Sequence, residues 1–132
     1  MKPTLSKALL LALGTACSFS CAGTPKYLVE DCPLYTDLEE IKVNPAGALD
    51  RHLRARAVFK VCPPDEGLTE IRRKRIELKH ELISLLSSMT REELEPPRRI
   101  ENVREKILFQ VNEKLMKKGR VIDVSITEFE LL

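Results

Sequence analysis

Between His52 and Val61 apolar and polar residues alternate, with Leu53, Ala55, Ala57, Phe59 and Val61 on one side and His52, Arg54, Arg56 and Lys60 on the other. A period of two predicts a strand with one buried face. Upstream, Leu38 to Val43 (LEEIKV) predicts a shorter strand. Asn44-Pro45-Ala46-Gly47 between them is a turn signal, because Pro fixes φ and Gly tolerates positive φ. Pro63-Pro64-Asp65 stops the long strand, and Asp65 or Thr69 is placed to cap a helix. Along that helix Ile71, Leu78, Leu82, Leu85 and Met89 form one stripe. Glu70 with Lys74 and Arg73 with Glu77 read as exposed pairs four apart. Thr90 and Glu93 have capping-box spacing.

After Pro96-Pro97 a second amphipathic helix is predicted to run to about Lys118, with Ile100, Val103, Ile107, Val111 and Leu115 inward. Lys117, Lys118 and a left-handed Gly119 would end it. A last strand, Val121 to Leu131, alternates through Ile122, Val124 and Ile126, then slips to Phe129 and Leu131, which predicts a bulge at Thr127-Glu128. The element order gives an α+β domain: a small antiparallel-type sheet with two amphipathic helices packed on it.

The first helix carries a conflict. Arg72, Arg75 and Lys79 fall within or beside its apolar arc, and burying three unpaired cations is costly. One resolution lets the N-terminal half overhang the sheet, leaving Ile76 and Ile83 beside a basic patch suited to a protein partner. The other lays the aliphatic stems along the core with the charges in water.

The N-terminus differs from the rest. Residues 1–16 (MKPTLSKALLLALGTA) place two lysines before an apolar run and small residues, the order of a secretory signal. The run is far shorter than the roughly 20 residues that span a bilayer. LGTACS resembles the lipobox of bacterial lipoproteins, which makes Cys17 the candidate lipid anchor. Cys21 is the alternative, and plain cleavage near Ala22 is a third reading. Residues 17–37 then form a tether and lead-in, and 38–132 the domain.

Removing Lys2 and Lys7 from the 22 basic residues leaves 20 against 20 acidic ones. Without net charge the exported chain has no field to attract nucleic acid. Export also places Cys32 and Cys62 where disulfides persist. If Val43 lies opposite His52, continued pairing brings Cys32 to within one residue of Cys62. Two free thiols are the competing reading, since the segment before Leu38 need not continue the strand.

Chemistry is sparse. No Gly-x-Ser-x-Gly elbow is present, His52 and His80 lie far apart, and no close Cys or His pairs suggest zinc beyond Cys17 and Cys21. Glu92, Glu93 and Glu95 read as solvated charges. No catalytic, cofactor or metal site is expected.

Three stretches in order, LISLLSSMTREEL (82–94), IENVREKILFQVNEKL (100–115) and GRVIDVSITEFELL (119–132), resemble the FliL family of flagellar basal-body-associated proteins. IKVNPAGALDRHLRARAVFKV (41–61) is similar to that family's first hairpin. The resemblance implies a stomatin-like, non-enzymatic domain in the periplasm that self-associates, as in a ring, and contacts flagellar stator proteins in support of motility. The family usually keeps an uncleaved transmembrane helix, whereas this chain has the lipoprotein-like signal. An envelope lipoprotein with a structural or assembly role outside the motor is the alternative. Metabolic labelling with a fatty acid should mark the wild-type chain and spare Cys17→Ser; equal labelling of both would remove Cys17 as the anchor.

Overall fold

The structure, a computed structural model, describes residues 27–132. The signal, Cys17, Cys21 and the tether as far as residue 26 lie outside the described residues. The chain from Tyr27 follows the order β1 (Leu34–Tyr35), β2 (Ile41–Val43), β3 (Leu53–Cys62), α1 (Pro64–Arg73), α2 (Arg75–Ser87), α3 (Arg99–Lys114) and β4 (Arg120–Leu131). It is an α+β fold with three helices against an antiparallel sheet.

The strongest alternation in the sequence becomes the centre of the sheet. β3 pairs with β4 along its whole length, from Leu53 opposite Leu131 to Cys62 opposite Arg120. Its other edge is shared by β2, which sets Ile41 opposite Ala55, and β1, which sets Tyr35 opposite Phe59. From Tyr35 to Ile41 the edge advances six residues while β3 covers four. The two extra residues loop out, so the edge is one interrupted strand. The predicted strand from Leu38 is therefore shortened to Ile41–Val43, although Leu38 itself is buried.

β4 carries two register shifts. The first falls between Arg56 and Ala57, leaving Thr127 without a partner, where the sequence slip predicted a bulge. The second, between Lys60 and Val61, leaves Ile122 unpaired. It reverses the expected orientation at that end, so Val121 is in the core and Ile122 is half-buried. Asn112 of α3 fixes this end, since its amide donates to the Val121 carbonyl at 2.7 Å and its Oδ1 accepts the Val121 N–H at 2.8 Å.

The predicted first helix is two helices. Neither Asp65 nor Thr69 caps it; the N-cap is Pro63, with Pro64 at the first helical position where a missing N–H is harmless. Lys74 leaves helical geometry at φ −99° and ψ 22°, and α2 starts after it. Ile71 in α1 and Leu78, Leu82 and Leu86 in α2 are buried against the sheet. Leu85 is only half-buried. The Thr90 and Glu93 capping box forms reciprocally, with Thr90 N–H donating to Glu93 Oε1 at 3.0 Å and Glu93 N–H to Thr90 Oγ1 at 3.3 Å. In α3 the inner stripe is Val103, Ile107 and Val111, while Ile100 at the first turn is 44 % exposed.

Glu70 departs most from its sequence reading as an exposed partner of Lys74, being only 2 % exposed. Its carboxylate accepts the backbone N–H groups of Lys117, Lys118 and Gly119 at 2.9 to 3.1 Å. Lys74 Nζ donates to it at 3.1 Å and to the Leu115 carbonyl at 2.6 Å. α3 accordingly ends at Lys114, four residues before the expected end, and among the described residues none takes positive φ. Gly119 is required for a different reason from the predicted left-handed cap. A Cβ there would lie 2.5 Å from Gly67 Cα and 3.1 Å from the Cys62 carbonyl oxygen, so the loop could not approach α1.

Cys32 and Cys62 are joined as a disulfide with Cα atoms 5.2 Å apart, closing a 30-residue separation at the end of β3. In the chain-entropy account such a bridge stabilises by roughly 3 to 4 kcal/mol. Mass spectrometry of non-reduced peptides from exported protein should find the Cys32–Cys62 cross-link, and two free thiols would refute it. Burial pushes the Glu70 carboxyl up, but the Gly119, Lys118, Lys74 and Lys117 hydrogen bonds outweigh it and lower the pKa from 4.5 to about 2. A depressed carboxylate stabilises the fold above its unfolded value and loses that stabilisation as pH falls from 4.5 toward about 2. The difference is about 3 kcal/mol. Glu70→Gln should therefore destabilise by ~2 to 3 kcal/mol at pH 7 and flatten the acid limb of a pH-stability curve. An unchanged acid limb would show that Glu70 does not contribute it.

Candidate interaction surface

The side chains singled out in the sequence sit on the outer side of α1 and α2. Arg72 and Arg75 are exposed, Ile76 is 74 % exposed and Ile83 37 % exposed. Ile76 lies two residues before the buried Leu78, which turns it ~160° away around the helix. Lys79 is held by Glu39 at 2.6 Å, and that hydrogen bond is the main cause lowering the Glu39 pKa. The predicted overhang of the N-terminal half is not found. Ile71 is fully buried and α1 rests on β3, with Gly67, Glu70 and Ile71 inward and Arg72 and Arg73 in solvent. The conflict is resolved by projection of the cations outward.

Beside this strip, a cleft of about 350 Å³ separates α2 from the segment joining β1 and β2, lined by Tyr35, Asp37, Arg75, Ile76 and Lys79 among others. Burial raises the Tyr35 pKa, Asp37 raises it further, and Arg75 and Arg72 oppose both. The phenol therefore stays neutral, and Arg75 and Lys79 are part of the cleft wall.

A second surface was missed by the sequence reading, which followed only the inner stripe of α3. Phe109 is 66 % exposed on the outer side of that helix. It stands between a groove of about 700 Å³ against α2 and a smaller one of about 500 Å³ against β4. Lys106 pairs with Glu93, and Lys114 with Glu81 at 3.6 Å, bridging the first groove. A large aromatic two residues after the inward Ile107 was the available signal, because that offset places it opposite the stripe.

The outer face of the sheet is charged but internally matched. Glu40 meets Arg54 at 2.6 Å and Arg56 at 3.7 Å, while Glu130 and Glu128 approach the same two arginines at 3.6 and 3.9 Å. Such cross-strand pairing leaves little net field for a partner.

The candidate reactive groups are not brought together. His52 Nδ1 lies 3.2 Å from Asn44 Nδ2 at the sheet end, whereas His80 is exposed on α2. Glu93 is engaged by Thr90 and Lys106, and Glu92 and Glu95 are exposed. Among the described residues no group of three His, Cys, Asp or Glu side chains is placed to hold a metal ion, and no helix is long and apolar enough to cross a membrane.

Residues 35–131 fit the family described as flagellar basal body-associated protein FliL, a span running from β1 to the last residue of β4. No curated protein matches the chain.

Proposed function

The chain belongs to the FliL family, whose members associate with the flagellar basal body, and on that premise we propose that it is a membrane-tethered interaction protein of the motor. In this reading Cys17 carries the lipid, the domain stands in the periplasm, and its surface serves self-association and contact with stator proteins. The observation that carries it is the strip formed by Arg72, Arg75, Ile76, Lys79 and Ile83, apolar residues held in solvent beside cations on a rigid helical support. An apolar patch rimmed by arginine suits a protein partner, in which the aliphatic residues are desolvated and the guanidinium groups set orientation.

Two further features support the placement. The Cys32–Cys62 disulfide suits an oxidising compartment such as the periplasm. Ten residue-to-residue steps lead from Cys17 to Tyr27, the first described residue. Fully extended they reach at most ~35 Å, so a lipid at Cys17 would hold the domain within that distance of the membrane.

The lipoprotein-like signal favours the second reading, an envelope lipoprotein acting outside the motor. Loss of swimming on deletion, with normal envelope integrity, supports the motor role; normal swimming with a defective envelope supports the alternative. At the level of the surface, Arg72→Glu with Arg75→Glu should weaken self-association or stator capture at least tenfold. Both side chains are exposed, so thermal stability should stay within ~0.5 kcal/mol of wild type. Retained assembly at normal stability would remove the strip from the interface.

A further inference from the structure

Two strips run along the outer surface of the helix layer, and they are opposite in charge. The first follows Arg72, Arg75, Ile76, Lys79 and Ile83 on α1 and α2. The second follows Glu101, Glu105, Phe109 and Glu113 on α3, each four residues from the next and so on one side of the helix. All four are exposed. Glu101 is paired with Arg104 at 2.7 Å. Among the described residues, Glu105 and Glu113 form no ion pair, and neither do Arg72 and Arg75.

The strips do not meet within one molecule. The groove of about 700 Å³ between α2 and α3 keeps them apart, crossed by the Lys114–Glu81 and Lys106–Glu93 pairs. Each strip therefore presents unmatched charge around solvent-exposed apolar side chains, Ile76 and Ile83 on one and Phe109 on the other. Complementary potentials steer association and fix register, while buried aromatic and aliphatic anchors supply most of the affinity.

We propose that the acidic α3 strip centred on Phe109 receives the basic α2 strip of a second copy of this chain, so that every contact joins one strip of each kind. This rests on the self-association reading above and assigns the missing half of its interface. Phe109 packs among Ile76 and Ile83 of the second copy, and Glu105 and Glu113 meet its Arg72 and Arg75.

The test uses the full chain in detergent micelles, followed by sedimentation velocity. Phe109→Ala should weaken self-association at least tenfold. Glu105→Arg with Glu113→Arg should do the same, as should Arg72→Glu with Arg75→Glu. Mixing the two charge-reversed proteins should restore association, and so should one chain carrying all four substitutions, because each basic strip again faces an acidic one. Circular dichroism melting checks that each variant folds, and Glu105→Gln with Glu113→Gln replaces the reversed pair if that variant melts early. Wild-type association without recovery in either rescue would overturn the pairing while leaving self-association intact. Wild-type chain that stays monomeric at every concentration would overturn both.

Discussion

The Glu70 carboxylate lies where α1 crosses the exit of α3, and its burial is tolerable because three backbone N–H groups and Lys74 meet it. A buried anion without such partners would cost several kcal/mol. With them it satisfies donors on three successive residues between the end of α3 and the start of β4, which have no helical or strand partner there. Lys74 completes the set by binding the Leu115 carbonyl. One ion pair thus fixes three things at once: where α1 gives way to α2, where α3 ends, and the height at which β4 enters the sheet. Gly119 is a consequence of the same approach, since a Cβ there would lie 2.5 Å from Gly67 Cα, whereas a Cβ at Gly67 would meet the Cys62 backbone at the end of β3, with the carbonyl oxygen at 2.8 Å.

β4 begins from that anchored point, and its two bulges follow from what must be buried. Val121 is held by Asn112 at one end, while Phe129 and Leu131 face the helices at the other. Twelve residues of strict alternation could not put all of these on one face with Val124 and Ile126, so one residue is left out at Ile122 and one at Thr127. The outer face keeps its charge ladder as a result, and the helix layer becomes the side on which unmatched groups accumulate.

What could be read in the sequence was local and periodic. The β3 alternation, the Val103–Ile107–Val111 stripe, the Thr90–Glu93 capping box and the bulge at Thr127 each depend on neighbours within a few positions, and all are present. What could not be read depends on distant partners. Glu70 and Lys74 have the spacing of any exposed helical pair, and only the loop 47 residues downstream makes them internal. β1 is two residues long and exists because β3 offers it an edge. The exposed face of α2 was located correctly for a wrong reason, as the cations escape burial by pointing outward and α1 does not overhang. Phe109 was passed over because a search for the core ignores the residues that oppose it.

The disulfide at the head of the fold also sets the route of mechanical load. β1 alone, with two residues, would unzip under a modest pull on the N-terminus, one hydrogen bond after another. The covalent link from Cys32 carries tension past it to Cys62, at the end of β3, which is hydrogen-bonded on both sides. Tension delivered there is shared along the ten residues of β3 and by its partners. A pull on the N-terminal end of the domain is thereby passed to the centre of the sheet without shedding its outermost strand.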